Sequence, residues 1–101
     1  MPLVKVGPLA RLGPGDIMEV KVGEDVYAVC NVDGEVYAVG GSCPHRGAPL
    51  GHGAMSGHQV VCPWHLWEFD CRTGAYDRDP EVRIPVFPAR IEGGEILLEL
   101  P

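Results

Sequence analysis

Cys43-Pro44-His45-Arg46-Gly47-Ala48-Pro49-Leu50 and, sixteen residues beyond His45, Cys62-Pro63-Trp64-His65 decide how this chain is read. The pattern is Cys-x-His, a spacer, then Cys-x-x-His, with a proline after each cysteine. Two thiolates and two imidazoles at that spacing form a donor set for a transition metal, because soft sulfur and borderline nitrogen select such ions over magnesium or calcium. The order of the donors narrows the choice. A Cys2His2 zinc finger groups its cysteines in one half and its histidines in the other, whereas here each half carries one of each. A structural zinc module stays open as an alternative at this point. His52 and His58, among glycines in the spacer, read as solvated loop residues.

The mixed order suits a [2Fe-2S] centre in which two histidines replace two cysteines on one of the irons. Over both halves the chain resembles the Rieske ferredoxins. That resemblance implies one Rieske-type [2Fe-2S] cluster per chain, with Cys43 and Cys62 holding one iron as thiolates and His45 and His65 holding the other through ring nitrogens. Neutral imidazoles leave such a cluster less negative than an all-cysteine one, so it accepts an electron more readily. Pro44 and Pro63 would stiffen two loops that turn N–H groups toward the cluster sulfurs. Gly47 would let the first loop turn without a clash.

The chain departs from the family at one position: soluble members have glycine directly after the second ligand histidine, and here that residue is Leu66. A positive φ would be costly there. High-potential members also carry an extra cysteine in each loop, joined as a disulfide, and hydroxyl donors two and four residues after the second ligand histidine. The matching positions are Ala48 and Trp64 for the cysteines, and Trp67 and Phe69 for the hydroxyls. The resemblance therefore implies a low-potential protein.

At 101 residues the chain makes one domain, with no room for a second catalytic centre. It reads as an electron carrier rather than an enzyme in its own right, with no catalytic residues. No run approaches the length of an apolar membrane span, and the start of the chain lacks a signal-like apolar stretch, so a soluble, cytoplasmic protein with no membrane contact is expected. A formal charge of −6 makes nucleic acid a poor partner and a basic docking patch a good one. The resemblance implies a flavoprotein reductase as electron donor and a terminal oxygenase as acceptor. The small subunit of NADH-dependent nitrite reductase looks similar in length and motif, in which case the partner is that enzyme's large subunit. Cys30 and Cys71, outside the motif, are expected as free thiols, Cys30 being a small core residue.

The rest of the chain reads as short strands between turns. Ile17 to Val22 alternates, and Val26–Val32 and Glu35–Val39 flank Asp33-Gly34, a strong hairpin signal. The first forty residues therefore read as an antiparallel meander. From residue 41 to 79 periodicity fades, and only Gln59–Cys62 and Leu66–Asp70 look like strands; Trp64, Trp67 and Phe69 are expected to form a small core there. After Pro80, strands return, with Phe87, Ala89 and Ile91 on one face, Pro85 and Pro88 marking an edge, and Gly93-Gly94 turning the chain. No stretch shows helical period. The expectation is all-β: an antiparallel, Rieske-like β-sandwich built from residues 1–40 and 80–101, with a cluster-binding subdomain, 41–79, inserted in it.

Overall fold

The protein's fold, given by a computed structural model that describes residues 3–44, 47–64 and 66–101, is built almost wholly of strands. In chain order they are β1 (Leu3–Pro8), β2 (Ile17–Val22), β3 (Asp25–Val32), β4 (Glu35–Gly40), β5 (Ala54–Ser56), β6 (Gln59–Val61), β7 (Glu68–Asp70), β8 (Ala75–Tyr76), β9 (Asp79–Arg83), β10 (Val86–Phe87), β11 (Ala89–Glu92) and β12 (Glu95–Glu99). Single 3-10 turns occupy Leu9–Arg11 and Leu50–His52. All strand pairs are antiparallel, in three sheets ordered β1-β12-β11, β10-β4-β3-β2 and β5-β6-β7-β8-β9.

The second sheet is the middle layer, and β3 shows why. Successive side chains on a strand point to opposite faces. Ala28, Cys30 and Val32 pack, with Val39 of β4, into a core that also holds Cys43, Leu50, Val60, Cys62, Phe69 and Ile84. Tyr27 and Val29 point the other way, packing with Val36 and Ala38 against Leu12, Ile96 and Leu98. Both faces of β3 are thus covered, which accounts for its nearly continuous apolar run, interrupted by Asn31.

Both expected hairpins form. Asp33 and Gly34 join β3 to β4 with φ of 52° and 95°, and Gly93 and Gly94 join β11 to β12 with φ of 58° and 78°, the paired positive φ that two-residue turns require. The meander is corrected at its start: β2, β3 and β4 are consecutive neighbours, but β1 leaves them to pair with β12 at the far end of the chain. Of the single face expected for Phe87, Ala89 and Ile91, the first two pack against one core and Ile91 does not. Pro88, which has no N–H, breaks the run, so Phe87 ends the edge strand of the middle sheet while Ala89 opens the edge strand of the first, and Ile91 is exposed. The third sheet runs from Ala54 to Arg83 and includes β5 and β8, too short to show a period of two in the sequence.

Asn31 is the one buried polar side chain among the described residues. Its amide nitrogen donates to the Leu12 carbonyl and its amide oxygen accepts from Gly34 N–H, both at 2.8 Å, so it ties the loop before β2 to the β3–β4 turn. Removing it leaves a buried carbonyl and a turn amide without partners. Asn31→Ala is expected to cost about 2 kcal/mol in denaturant unfolding, more than Asp33→Asn in the same turn, which keeps every bond.

Candidate metal centre

Cys43 and Cys62 sit on two loops closed by the same pair of backbone hydrogen bonds. In the first, Gly47 N–H donates to Cys43 C=O at 2.7 Å and Cys43 N–H donates to Ala48 C=O at 2.9 Å. In the second, Leu66 N–H donates to Cys62 C=O at 3.1 Å and Cys62 N–H donates to Trp67 C=O at 2.7 Å. The spacing is the same, four residues forward for one bond and five for the other. Each loop closes through a residue with left-handed backbone, Gly47 at φ 72° and Leu66 at φ 57°. A five-to-one bond closed by such a residue is also how many helices end.

This matching explains how a leucine occupies a glycine's place. A Cβ built on Gly47 would meet nothing within 4 Å, so the turn demands glycine only for its φ, not for space. The equivalent side chain in the second loop runs into solvent, where Leu66 is 71% exposed. The expected conflict between leucine and a positive φ is therefore real and is borne as local backbone strain.

The loops are braced from behind. Leu50 N–H donates to Gly41 C=O at 2.9 Å, and Ser42 bridges to Pro49, closing the base of the first loop. The following 3-10 turn lies so close on β2 that a Cβ on Gly51 would come within 2.6 Å of the Glu19 Cα, and His52 Nε2 stands 3.3 Å from Glu19 Oε1. His52 is thus a surface partner of β2. His58 is half-buried, its ring edge-on to Tyr37, rather than a fully solvated loop residue.

Both thiols are buried, Cys43 at 2% and Cys62 at 1% exposure, in the same core. His45 and His65 lie outside the described residues, as does Arg46. The donor chemistry that is described fits a sulfur-ligated cluster: two cysteines shielded from water, held by equivalent turns, with their own amides and carbonyls hydrogen-bonded. Behind them, Phe69 is fully buried and Trp67 stacks flat on Tyr76, centroids 4.2 Å apart and planes 5° from parallel. Trp64 is corrected: it is 56% exposed and belongs to the outer face of the second loop, not to the small core. Tyr76 takes its place there, on a two-residue strand that offers no pattern in the sequence.

The strain at Leu66 has a measurable sign. Leu66→Gly is expected to stabilise the fold by about 0.5 kcal/mol, the relief of a left-handed side chain exceeding the added freedom of glycine in the unfolded chain. Leu66→Val should destabilise it by about 1 kcal/mol, since a β-branched residue fits that region worse. Denaturant unfolding of the three proteins checks the ranking.

The chain matches the family model described as the Rieske [2Fe-2S] domain over residues 3–88. It is 32% identical over 101 residues to the ferredoxin component of biphenyl 2,3-dioxygenase from Rhodococcus jostii strain RHA1, covering 99% of this chain and 94% of that one. The solved ferredoxin of carbazole 1,9a-dioxygenase from Nocardioides aromaticivorans IC177 superposes with a TM-score of 0.88 at 30% identity, covering 97% of each chain. A protein assigned as the small subunit of an NADH-dependent nitrite reductase from Mycobacterium tuberculosis superposes with a TM-score of 0.87 at 28% identity, covering 96% of this chain and 93% of that one. The fold is that of a Rieske-like β protein, and the likeness takes in both cysteine loops together with the three sheets that carry them. On that ground the chain belongs to the Rieske [2Fe-2S] domain family, whose mixed-ligand [2Fe-2S] cluster is its cofactor.

Proposed function

We propose that this chain is a soluble, cytoplasmic electron carrier that takes one electron from a flavoprotein reductase and delivers it to a terminal oxygenase. The observation that carries the reading is the pair of equivalent loops presenting Cys43 and Cys62 from one dry core. On this reading Cys43 and Cys62 bind one iron and His45 and His65 the other, the third sheet and the two loops forming a cluster-binding unit (41–79) set on a base made of 1–40 and 80–101. When bound, the cluster supplies reversible one-electron chemistry. The protein's own part is to exclude water from the sulfurs, through Phe69, Leu50 and the Trp67–Tyr76 stack. Family membership favours this over a structural zinc module. Among the described residues no helix is long and apolar enough to cross a membrane, and the charge of −6 argues for a basic protein partner.

The apolar tip adds to the docking picture. Trp64 and Leu66 flank His65 in the chain and are both exposed, so a partner reaching that histidine covers apolar area there. The nitrite reductase reading is kept as a second one, because the superposition on that small subunit is as close as those on the oxygenase ferredoxins. Catalytic turnover separates them. The chain should support reductase-dependent oxygenation when added to a reductase and a ring-hydroxylating oxygenase lacking their own ferredoxin; association with a nitrite reductase large subunit and none with the oxygenase would favour the second reading.

Ligand replacement tests the site itself. His45→Ala and His65→Ala are each expected to abolish the rhombic electron-spin signal of the dithionite-reduced protein, while His52→Ala, on the far side of the loop against Glu19, leaves it intact. Bleaching by His52→Ala alone would refute the assignment.

The reduction potential follows from what surrounds the thiols. Ala48 is fully buried and Trp64 points outward, so no disulfide joins the loops, and Trp67 and Phe69 carry no hydroxyl to hydrogen-bond a sulfur. Such bonds stabilise the more negative, reduced state, and their lack lowers the potential. Film voltammetry at neutral pH is expected to centre below about +100 mV, in the lower part of the family's range of about −150 to +300 mV.

A further inference from the structure

Where the middle sheet gives way to the first cysteine loop, its end is hollowed into an open groove of about 470 Å³. The floor is apolar: Tyr27 of β3 and Phe87 of β10 meet edge to face, ring centroids 5.1 Å apart, with Val26 and Pro85 beside them. On the rim stand Glu24, from the turn between β2 and β3, Asp25, the first residue of β3, and Ser42, which immediately precedes Cys43.

Backbone hydrogen bonds join this groove to the loop. Gly41 N–H donates to Val26 C=O at 2.9 Å, and Gly40 N–H donates to Pro85 C=O at 2.8 Å. A Cβ on Gly41 would stand 2.7 Å from that same Val26 carbonyl, so the chain leading into Cys43 lies directly on the groove's wall. A group seated in the groove is therefore held at the root of the first cysteine loop.

Both charged side chains that line the groove are acidic and exposed, and among the described residues neither carboxylate has an ion-pair partner. Lys21, opposite Val26 in the ladder, is not part of the walls. The larger groove, about 630 Å³ at the far end of β4, differs in this respect: Arg72 and Arg90 on its rim are tied to Asp70 and Glu92. An apolar trough ending in two unpaired carboxylates matches a long basic side chain, whose methylene stem lies along the floor while its charged head reaches the rim. The chain's net charge of −6 draws the same cations toward it.

We infer that this groove seats a lysine or arginine side chain of the protein that exchanges electrons with the cluster, and that Glu24 and Asp25 are the residues that position it. The inference rests on the electron-carrier reading and names the surface that holds the basic partner. It complements the apolar contact at Trp64 and Leu66, because carboxylates act across water and set the rate of encounter, whereas apolar contact acts once the surfaces meet.

The test uses cluster-loaded protein and two basic probes, tetralysine and cytochrome c. Tetralysine titrated into the oxidised protein is expected to shift the amide resonances of Val26, Tyr27 and Gly40 more than those of the other strands, and to lose that effect in Glu24→Gln/Asp25→Asn. In stopped flow, reduced protein freed of dithionite gives one electron from its cluster to the ferric haem of cytochrome c. Glu24→Gln/Asp25→Asn should slow that transfer about fivefold at low salt and flatten its salt dependence. Glu92→Gln/Glu95→Gln, which removes the same charge at the β11–β12 turn, should change the rate less than about twofold, and both variants should keep the rhombic signal of the reduced cluster. Equal slowing by the two double variants, or tetralysine shifts confined to another face, would overturn the groove. Binding of tetralysine in the groove with no electron passed to cytochrome c would instead defeat the carrier reading, and with it the identity of the partner.

Discussion

The carbonyls of Cys43 and Cys62 each accept the amide four residues on, and a bond of that span closes when its donor has left-handed backbone. Everything the protein does with a metal rests on that turn being made twice. It folds each cysteine inward, where both thiols share one core, and in the second loop it leaves Trp64 and Leu66 exposed. Because the two loops satisfy their own cysteine amides and carbonyls internally, they can leave the sheets without stranding buried polar groups.

Such turns would wander if nothing stood behind them. The first is pressed on β2 through Gly51, where a side chain would strike the Glu19 backbone. The second is strung between β6 and β7, with Gly53 lying against the Val61 carbonyl and Gly74 against the Ile84 carbonyl so closely that neither admits a Cβ. The middle sheet is the common wall. One face of β3 closes the core under the cysteines, and the other is sealed by β12, so a change in β3 is felt on both sides. The core is dense where the sulfurs are, and the second loop carries Trp64 and Leu66 exposed along its outer edge.

That edge is unusual in its chemistry. The turn that glycine makes without strain is made here by Leu66, and with Trp64 it puts two large apolar side chains in water beside the second histidine of the motif. Exposing them forgoes hydrophobic stabilisation, and the left-handed leucine adds strain, so both terms run against stability. Residues kept at such a cost are better explained by what they touch in a complex than by the fold of the free chain.

Much of this was legible in the chain itself. Donor type and spacing point to a metal centre, since a metal site depends on side-chain chemistry that folding does not alter, and the two-residue turns at Asp33-Gly34 and Gly93-Gly94 are local, depending on φ values that few residues accept. The long strands β2, β3, β4 and β12 were visible because a half-buried or fully buried strand must show its faces in its residues. What the chain could not show was non-local. The pairing of β1 with β12 joins the two ends of the chain, β5 and β8 are too short to carry a period, and Trp64 and Tyr76 exchange their expected places because burial is decided by which element lies opposite.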